Sequence, residues 1–190
     1  MGIQPPVSFD DARRGESAAL AGLFREYHGA LLRYLRSRRV DGAEDVASDV
    51  WIDVARGIGR FEGQADDFRR WLFTIAHHRS VDAVRRSVRR AESSLDGGWD
   101  TTRGFVDGAD VESEKDRGLD RAIAMVASLP DNMAEAVMLR VVNDLPVSDV
   151  AEIMGTSDGN VRVLVHRGVE RLRRKFVVTD RDGSTMSLVP

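Results

Sequence analysis

The residues with the clearest chemical purpose are arginines in a stretch near the C-terminus, GNVRVLVHRGVERLRRK, which begins at Gly159. Arginine carries a planar guanidinium group whose paired donors match the two acceptors that guanine presents in the DNA major groove. At about 100° per residue, Arg162 and Arg167 fall on the side of a helix opposite Val161 and Leu164. The spacing therefore predicts a helix with one apolar face to bury and one basic face that can read duplex DNA.

The residues before this helix complete a helix-turn-helix. Residues 146 to 176 indicate a short helix from Ser148 to Met154, a tight turn at Gly155, and a long helix to Phe176 that is capped by a serine or threonine. A solvated basic face is the alternative interpretation of the arginines, and His166 is equally well explained as a bystander. The three-part layout favours DNA binding. The candidate contacts are Ser157, Gly159, Asn160, Arg162, Val163, His166, Arg167, Arg171 and Arg174.

The composition excludes several classes of protein. The 190 residues are 42% hydrophobic, which suffices for one ordinary domain or two small ones. No apolar run approaches the roughly 18 residues that a membrane helix needs, and the N-terminus lacks the features of a secretory signal. We therefore expect a soluble, cytoplasmic protein without membrane insertion. Because the chain has no cysteine, disulfides and thiolate metal sites are excluded within it.

The net charge of -3 is unusual for a nucleic-acid binder, but the charge is segregated along the chain. Residues 91 to 116 contain eight acidic side chains against only Arg103 and Lys115. From Ala91 to about Gly108 the segment contains glycines at four positions and shows no helical period, so it predicts a flexible linker between two domains. The arginines lie outside the linker, where they can meet DNA.

Apolar residues at helical spacing predict helices on both sides of the linker. Three helices precede it, over residues 20 to 40, 43 to 58 and from about Asp67. Two more lead to the helix-turn-helix, and the second of these is expected to begin at Asp131, which would cap it. No segment has the period of a strand. We expect an all-α protein with domains at residues 8–90 and 117–176, an acidic linker at 91–116, and a disordered tail at 177–190.

An enzyme is poorly supported by the sequence. It contains no glycine-rich phosphate loop and no cysteine nucleophile, and its four histidines form no acid-base constellation. The adjacent His77 and His78 point about 100° apart on a helix, which leaves only His78 and Asp82 on one face and argues against a metal site. We predict no catalytic residue, no metal and no cofactor.

Several long blocks of sequence resemble one family. The first domain contains LFREYHGALLRYLRSR, AEDVASDVWIDVARGIGRF and FRRWLFTIAHHRSVDAVRR, and the second contains LPDNMAEAVMLRVVNDLPVSDVAEIMGTSDGNVRVLVHRGVERLRR. The chain is similar to the extracytoplasmic-function (group IV) sigma factors of the bacterial sigma-70 family. The similarity lies in these blocks, in their order and in the acidic linker between them. The resemblance covers nearly the whole chain. It implies a factor that directs core RNA polymerase to promoters, reads the -35 duplex with the second domain and melts the -10 element with the first.

The resemblance also implies partners and contact residues. Core polymerase is expected to bind through its β′ clamp helices and β flap, and an anti-sigma protein is the expected regulator. The residues that would face the clamp helices are Glu44, Asp45, Val46, Ser48, Asp49 and Val50. The residues that would separate the -10 strands and hold an extruded base are Phe61, Gly63, Phe68, Arg69, Arg70, Trp71, His77, His78, Arg79 and Arg85.

Some of these assignments have a plain structural alternative. Trp71 lies on an apolar face at helical spacing, where core packing is more common than stacking on a base. The acidic residues of the second helix suit a basic partner but also suit solvent, and the linker could be an ordinary tether rather than a nucleic-acid mimic. His77 and His78 stand where many family members carry arginine and asparagine, so the base preference at -10 stays open. A regulator that binds duplex DNA alone, as a dimer, is the alternative function.

Overall fold

The structure is a computed structural model that describes residues 8–93 and 114–179, and the elements it describes are all helical. Domain 1, residues 8–93, contains α1 (Phe9–Arg13), α2 (Ser17–Ser37), α3 (Ala43–Gly57), a 3-10 turn (Ile58–Arg60) and α4 (Ala65–Ser93). Domain 2, residues 114–179, contains α5 (Glu114–Ala127), α6 (Asp131–Val137), a π-helical turn (Met138–Val142), α7 (Val147–Ile153) and α8 (Asp158–Thr179). The predicted all-α class is confirmed.

The ends of the predicted linker and tail are helical. Helix α4 continues to Ser93 and α5 begins at Glu114, so both helices extend into the segment that was expected to be a linker. Helix α8 likewise continues to Thr179, three residues into the predicted tail. The rest of the acidic linker and of the tail lies outside the described residues.

Domain 1 follows the periodicity of its sequence. The apolar stripe of α2 is buried at Leu23, Leu31 and Leu35, and the chain turns into α3 through Gly42, whose φ of 67° suits glycine. Helix α1 was not predicted, because five residues are too few to show a period. Its signal was local: the Ser8 hydroxyl accepts a hydrogen bond from the amide of Asp11 at 3.2 Å, an N-cap interaction.

In domain 2 the predicted cap at Asp131 is wrong. Pro130 occupies the N-cap position of α6 without a side-chain bond, and the Asp131 carboxylate instead pairs with Arg39 of domain 1 at 3.1 Å. Helix α6 is buried on all sides, at four successive residues from Ala134 to Val137, and continues into the π-helical turn. A helix that is buried all round needs partners on more than one side.

The second partner of α6 is domain 1. Helices α2 and α4 pack against domain 2, and the buried residues of both domains form one continuous core. Polar contacts reinforce the packing: Arg39 donates to the carbonyl of Leu129 at 3.2 Å, and Arg70 lies 3.5 Å from the carboxylate of Glu152. The sequence predicted two tethered domains, and the interface between them is a finding of the structure.

The close packing of α8 on α6 gives a stability prediction for Gly168→Ala. A Cβ at Gly168 would lie 2.7 Å from a methyl group of Val137, which is buried and β-branched and so has little freedom to move. Overpacking of this kind costs about 1–3 kcal/mol, more than the roughly 1 kcal/mol that alanine gains over glycine in a helix. We expect a lower melting temperature by circular dichroism.

Gly159→Ala is the matched control in the same helix. The nearest atom to a Cβ there is the Ser157 hydroxyl oxygen at 4.0 Å, so alanine fits without a clash. This variant should melt at or above the temperature of the wild type. A Gly168→Ala variant as stable as Gly159→Ala would contradict the packing described for α6 and α8.

Candidate nucleic-acid and polymerase interfaces

The turn between α7 and α8 presents the start of α8 to solvent. Gly155 has a φ of 60°, which ends α7 sharply. The Ser157 hydroxyl accepts a hydrogen bond from the amide of Asn160 at 3.2 Å, and the Asn160 side chain donates to the Thr156 hydroxyl at 2.9 Å. The predicted serine cap is therefore present, and the first turn of α8 is exposed.

The two faces of α8 differ as the sequence predicts. Val161, Leu164 and Gly168 are buried against the rest of domain 2. All nine candidate contacts on this helix and its cap are exposed: Ser157, Gly159, Asn160, Arg162, Val163, His166, Arg167, Arg171 and Arg174. The exposed face combines cationic groups with helix-start amides, which is the chemistry that binds phosphates and guanine edges.

A shallow groove beside this face contains a basic residue that the sequence pattern does not indicate. Arg140, in the π-helical turn, lines the groove together with Arg162, His166 and Arg173 of α8. Its guanidinium group is also 3.0 Å from the Asp144 carboxylate. No local pattern could place Arg140 here, because it comes from outside the helix-turn-helix and reaches α8 only through the tertiary fold.

An aromatic cluster lies at the junction of the 3-10 turn and α4. Trp71 stacks on Phe61 with ring centroids 5.2 Å apart, and Phe68 meets Trp71 edge-on at 5.9 Å. Phe61 and Phe68 are buried, whereas Trp71 is half-buried, and its indole also lies against Gly57. Trp71 thus packs on the core with one face and keeps part of its ring available to a ligand.

The loop and the first turn of α4 are held by acidic side chains. The Asp67 carboxylate accepts from the amide of Gln64 at 3.0 Å, next to Gly63, whose φ of 143° favours glycine. Arg69, near the start of α4, lies 3.6 Å from the Asp66 carboxylate. The candidate -10 loop is therefore well defined and carries both signs of charge.

The basic residues and histidines along α4 point in three directions. Arg70 and His77 face domain 2, where His77 Nδ1 lies 2.7 Å from the carboxylate of Glu135. Arg79 faces α3, and its Nε donates to Asp53 at 2.7 Å, a bond that raises the pKa of the guanidinium group further. His78 and Arg85 are exposed. The helix therefore does not offer all of these predicted residues to one ligand.

Helix α3 has an acidic outer edge. Glu44, Asp45 and Ser48 are exposed and Asp49 is half-buried, while Val46 and Val50 are buried in the core. A hydrogen bond from Arg36 to Glu44, with donor and acceptor 3.0 Å apart, lowers the pKa of that carboxyl group. A cleft between α3 and α4 is lined by Asp45 and Asp49 on one side and by Arg86 on the other. The edge carries negative charge at neutral pH and suits a basic partner.

Comparison with known proteins identifies the family. Residues 23–90 match sigma-70 region 2 and residues 119–172 match sigma-70 region 4. The chain is 31% identical over 171 residues to the ECF RNA polymerase sigma factor ShbA of Streptomyces griseus, across 85% of this chain and 90% of ShbA. The chain belongs to the extracytoplasmic-function sigma factors of the sigma-70 family. An ECF sigma factor directs core polymerase to promoters, so the helix-turn-helix is one part of an initiation factor rather than a stand-alone dimeric regulator.

Two solved structures share the fold of this sigma factor. One is CnrH in complex with the cytosolic domain of CnrY, with a TM-score of 0.60 and 18% identity over 92% of this chain and 96% of CnrH. The other is the sigma factor RpoE of Bartonella quintana in complex with the anti-sigma factor NepR, with a TM-score of 0.60 and 22% identity over 83% of this chain and 98% of RpoE. Within residues 8–93 and 114–179, no helix of this sigma factor has the length and apolar character to cross a membrane.

Proposed function

We propose that domain 2 of this sigma factor reads the -35 duplex with the exposed face of α8. The observation that supports this role is the concentration of accessible basic and short polar groups on one side of a capped helix, opposite its buried side. Arg162 and Arg167 reach base edges, and Ser157 and Asn160 reach phosphate near the positive end of the helix. Arg140 joins this surface as a phosphate contact from the neighbouring groove.

Domain 1 opens the -10 element in the same proposal. Trp71 offers the exposed part of its ring to an unstacked base, supported from behind by Phe61 and Phe68. The buried Phe61 and Phe68 are therefore assigned to holding Trp71 rather than to direct DNA contact. Arg69, His78 and Arg85 supply cationic or polar contacts to the strand. Arg70, whose side chain is 43% exposed beside Glu152, joins them, whereas His77 joins them only when domain 2 is not packed against α4.

The acidic edge of α3 binds core RNA polymerase. Glu44, Asp45, Ser48 and Asp49 form the contact, because their side chains are accessible and three of them are anionic. Val46 and Val50 contribute by fixing the edge to the core. The expected counterpart is a basic surface on the β′ clamp helices, with the β flap as the second polymerase contact.

The remaining assignments follow from family membership and charge. We assign residues 8–90 to the region 2 domain, 91–116 to the linker and 117–176 to the region 4 domain. Helix α4 extends into the linker as far as Ser93, and α5 begins within it at Glu114. The protein acts in the cytoplasm without catalytic chemistry of its own. An anti-sigma protein regulates it, in keeping with the complexes solved for RpoE with NepR and CnrH with CnrY.

Transcription in vitro tests the function directly. The purified full-length chain is added to core polymerase and a library of promoter fragments, and the 5′ ends of the transcripts are mapped. We expect initiation only when the chain and core polymerase are both present. The active templates should share two sequence elements spaced for -35 and -10 contacts. Failure to initiate from any template, with polymerase that is active with another sigma factor, would refute the proposal.

A further inference from the structure

Helix α1 lies against the candidate -10 loop, residues 61–64, which joins the 3-10 turn to α4. One guanidinium nitrogen of Arg13, Nη1, donates a hydrogen bond to the carbonyl of Phe61 at 3.1 Å. The other, Nη2, donates to the carboxylate of Asp10 at 2.5 Å. Because both nitrogens are engaged and the side chain is 28% exposed, the Arg13 guanidinium group is directed at the loop rather than at solvent.

The ring of Phe9 packs on the two phenylalanines beneath Trp71. Its centroid lies 5.9 Å from that of Phe61 and 5.5 Å from that of Phe68, and both of these rings are buried. Phe61 in turn stacks on Trp71. Helix α1 therefore reaches the rings that support Trp71 through aromatic packing, and it reaches the backbone of the loop through a hydrogen bond.

The order of α1 depends on the same contacts. A helix of five residues is too short to be stable alone, so tertiary packing has to hold it. Ala12 is fully buried, and the carbonyl oxygen of Arg13 lies 3.6 Å from the place that a Cβ of Gly59 in the 3-10 turn would take. Helix α1 and the turn that leads into the loop thus stabilise each other.

Helix α1 lies outside the segment that identifies the domain. The match to sigma-70 region 2 covers residues 23–90, which include Phe61, Phe68 and Trp71 but neither Phe9 nor Arg13. The main contacts of α1 are with α2 and the 3-10 turn. A change in α1 can therefore alter the loop while the acidic edge of α3 and the basic face of α8 stay intact.

We propose that α1 is a brace for the -10 surface, and that Arg13 and Phe9 are positioning residues that act through Phe61 on Trp71. The hydrogen bond from Arg13 fixes the peptide at which the chain leaves the 3-10 turn, and Phe9 limits the movement of the Phe61 ring. Trp71 thereby keeps one orientation before a base arrives, so less conformational entropy is lost when the base stacks. The functional part of this inference rests on the proposed role of Trp71, whereas the brace itself does not.

Arg13→Met tests the brace in the full-length chain. Methionine keeps an unbranched apolar stem but removes the charge and both hydrogen bonds. Hydrogen exchange of the backbone amides of residues 58–64, followed by mass spectrometry, reports local opening of the turn and loop. We expect these amides to exchange about tenfold faster than in the wild type, because the loop loses a hydrogen bond from a charged donor.

Arg14→Met is the matched control for Arg13→Met. It makes the same change at the next position of the chain, where the guanidinium group pairs with Asp11 and Glu16 instead of the loop. Its loop amides should exchange as those of the wild type do. Equally fast exchange in the two variants, or faster exchange throughout domain 1 in Arg13→Met, would overturn the brace, because either result shows a general loss of stability.

Phe9→Leu tests the second contact without changing the net charge. It removes the ring that packs on Phe61 and Phe68 and keeps an apolar side chain, so circular dichroism should be unchanged. The same loop amides should exchange faster than in the wild type. Exchange at the wild-type rate in one folded variant would remove that residue from the brace, and exchange at the wild-type rate in both would overturn it.

Binding of a single-stranded -10 oligonucleotide tests what the brace contributes to function. The protein is the holoenzyme, and the oligonucleotide has the non-template sequence of a promoter mapped by transcription in vitro. We expect Arg13→Met to weaken binding by roughly tenfold, a part of what stacking on an aromatic ring supplies, and to leave affinity for the -35 duplex unchanged. The slope of log K against log salt concentration should also stay constant. A slope reduced by about 0.7 would show a direct phosphate contact of Arg13 and would overturn its positioning role.

Trp71→Ala separates failure of the brace from failure of the proposed function. If this variant binds the oligonucleotide as tightly as the wild type, the stacking role of Trp71 is wrong, and the exchange of the loop amides still decides whether the brace exists. If Trp71→Ala weakens binding and Arg13→Met does not, the proposed function stands and the brace has no part in it.

Discussion

Replacing Asp49 with arginine should weaken binding of this sigma factor to core RNA polymerase by roughly thirtyfold, which corresponds to about 2 kcal/mol. Asp49 lies one helical turn after Asp45, and both carboxylates line the cleft between α3 and α4. An arginine at this position converts attraction for a basic partner into repulsion between like charges. A titration of labelled core polymerase with the full-length variant, at fixed salt concentration, measures the change in Kd.

Glu26→Arg is the matched control for Asp49→Arg. It makes the same change in net charge at an exposed position on α2, and it should bind polymerase as the wild type does. Because Asp49 also contributes to the electrostatic environment of Arg79, both variants need the same melting curve before their affinities are compared. Binding of the -35 duplex by the full chain should be unaffected in either. An equal loss of polymerase affinity in the two variants would remove Asp49 from the contact.

The faces of individual helices could be predicted from the sequence, because burial repeats with the helical period. In α8, Val161 is fully buried and Arg162 and Val163 are exposed, as the 100° spacing requires. The same reasoning places Leu31 of α2 and Val50 of α3 in the core. In each case most of the partner surface belongs to the same domain, so the apolar stripe alone specifies the inner side.

The roles of individual aromatic residues could not be predicted. The spacing of an inner face is shared by Phe61, Phe68 and Trp71. Spacing alone does not show which of these rings is fully buried and which lies nearer the surface. In the structure Phe68 has no exposed surface, and Trp71 covers it from outside. The one sequence signal for the position of Trp71 is Gly57, because only glycine leaves room for the Trp71 indole against α3.

Glu135 could not be recognised as an interface residue from sequence, because its partners lie up to 101 residues away along the chain. Helical periodicity says nothing about a contact with another domain. The sequence nevertheless contains a signal. Glu135 is the only charged residue from Met133 to Leu139, and this run is apolar all round the helix rather than along one stripe. A carboxylate in a helix that is apolar all round predicts a buried polar partner.

Replacing Arg167 with alanine should weaken binding of the -35 duplex by about tenfold to a hundredfold, the range of about 1–3 kcal/mol that a good guanidinium-to-guanine contact supplies. Arg167 is exposed on the face of α8 that lies away from the core, so its loss should not affect folding. Arg173→Ala is the control on the same helix: it removes the same charge, but Arg173 is paired with Glu170 at 3.1 Å. It should reduce affinity much less.

The salt dependence of these affinities separates the two kinds of contact that Arg167 can make. If Arg167 contacts a base edge, its removal lowers the affinity most for the preferred base pair, so the variant stops discriminating between base pairs at one position of the site. The slope of log K against log salt concentration then stays nearly constant. A contact with phosphate lowers affinity for all sequences alike and reduces that slope by about one. If Arg167→Ala keeps both full affinity and full discrimination, the reading surface must centre on Arg162, five residues closer to the start of the helix.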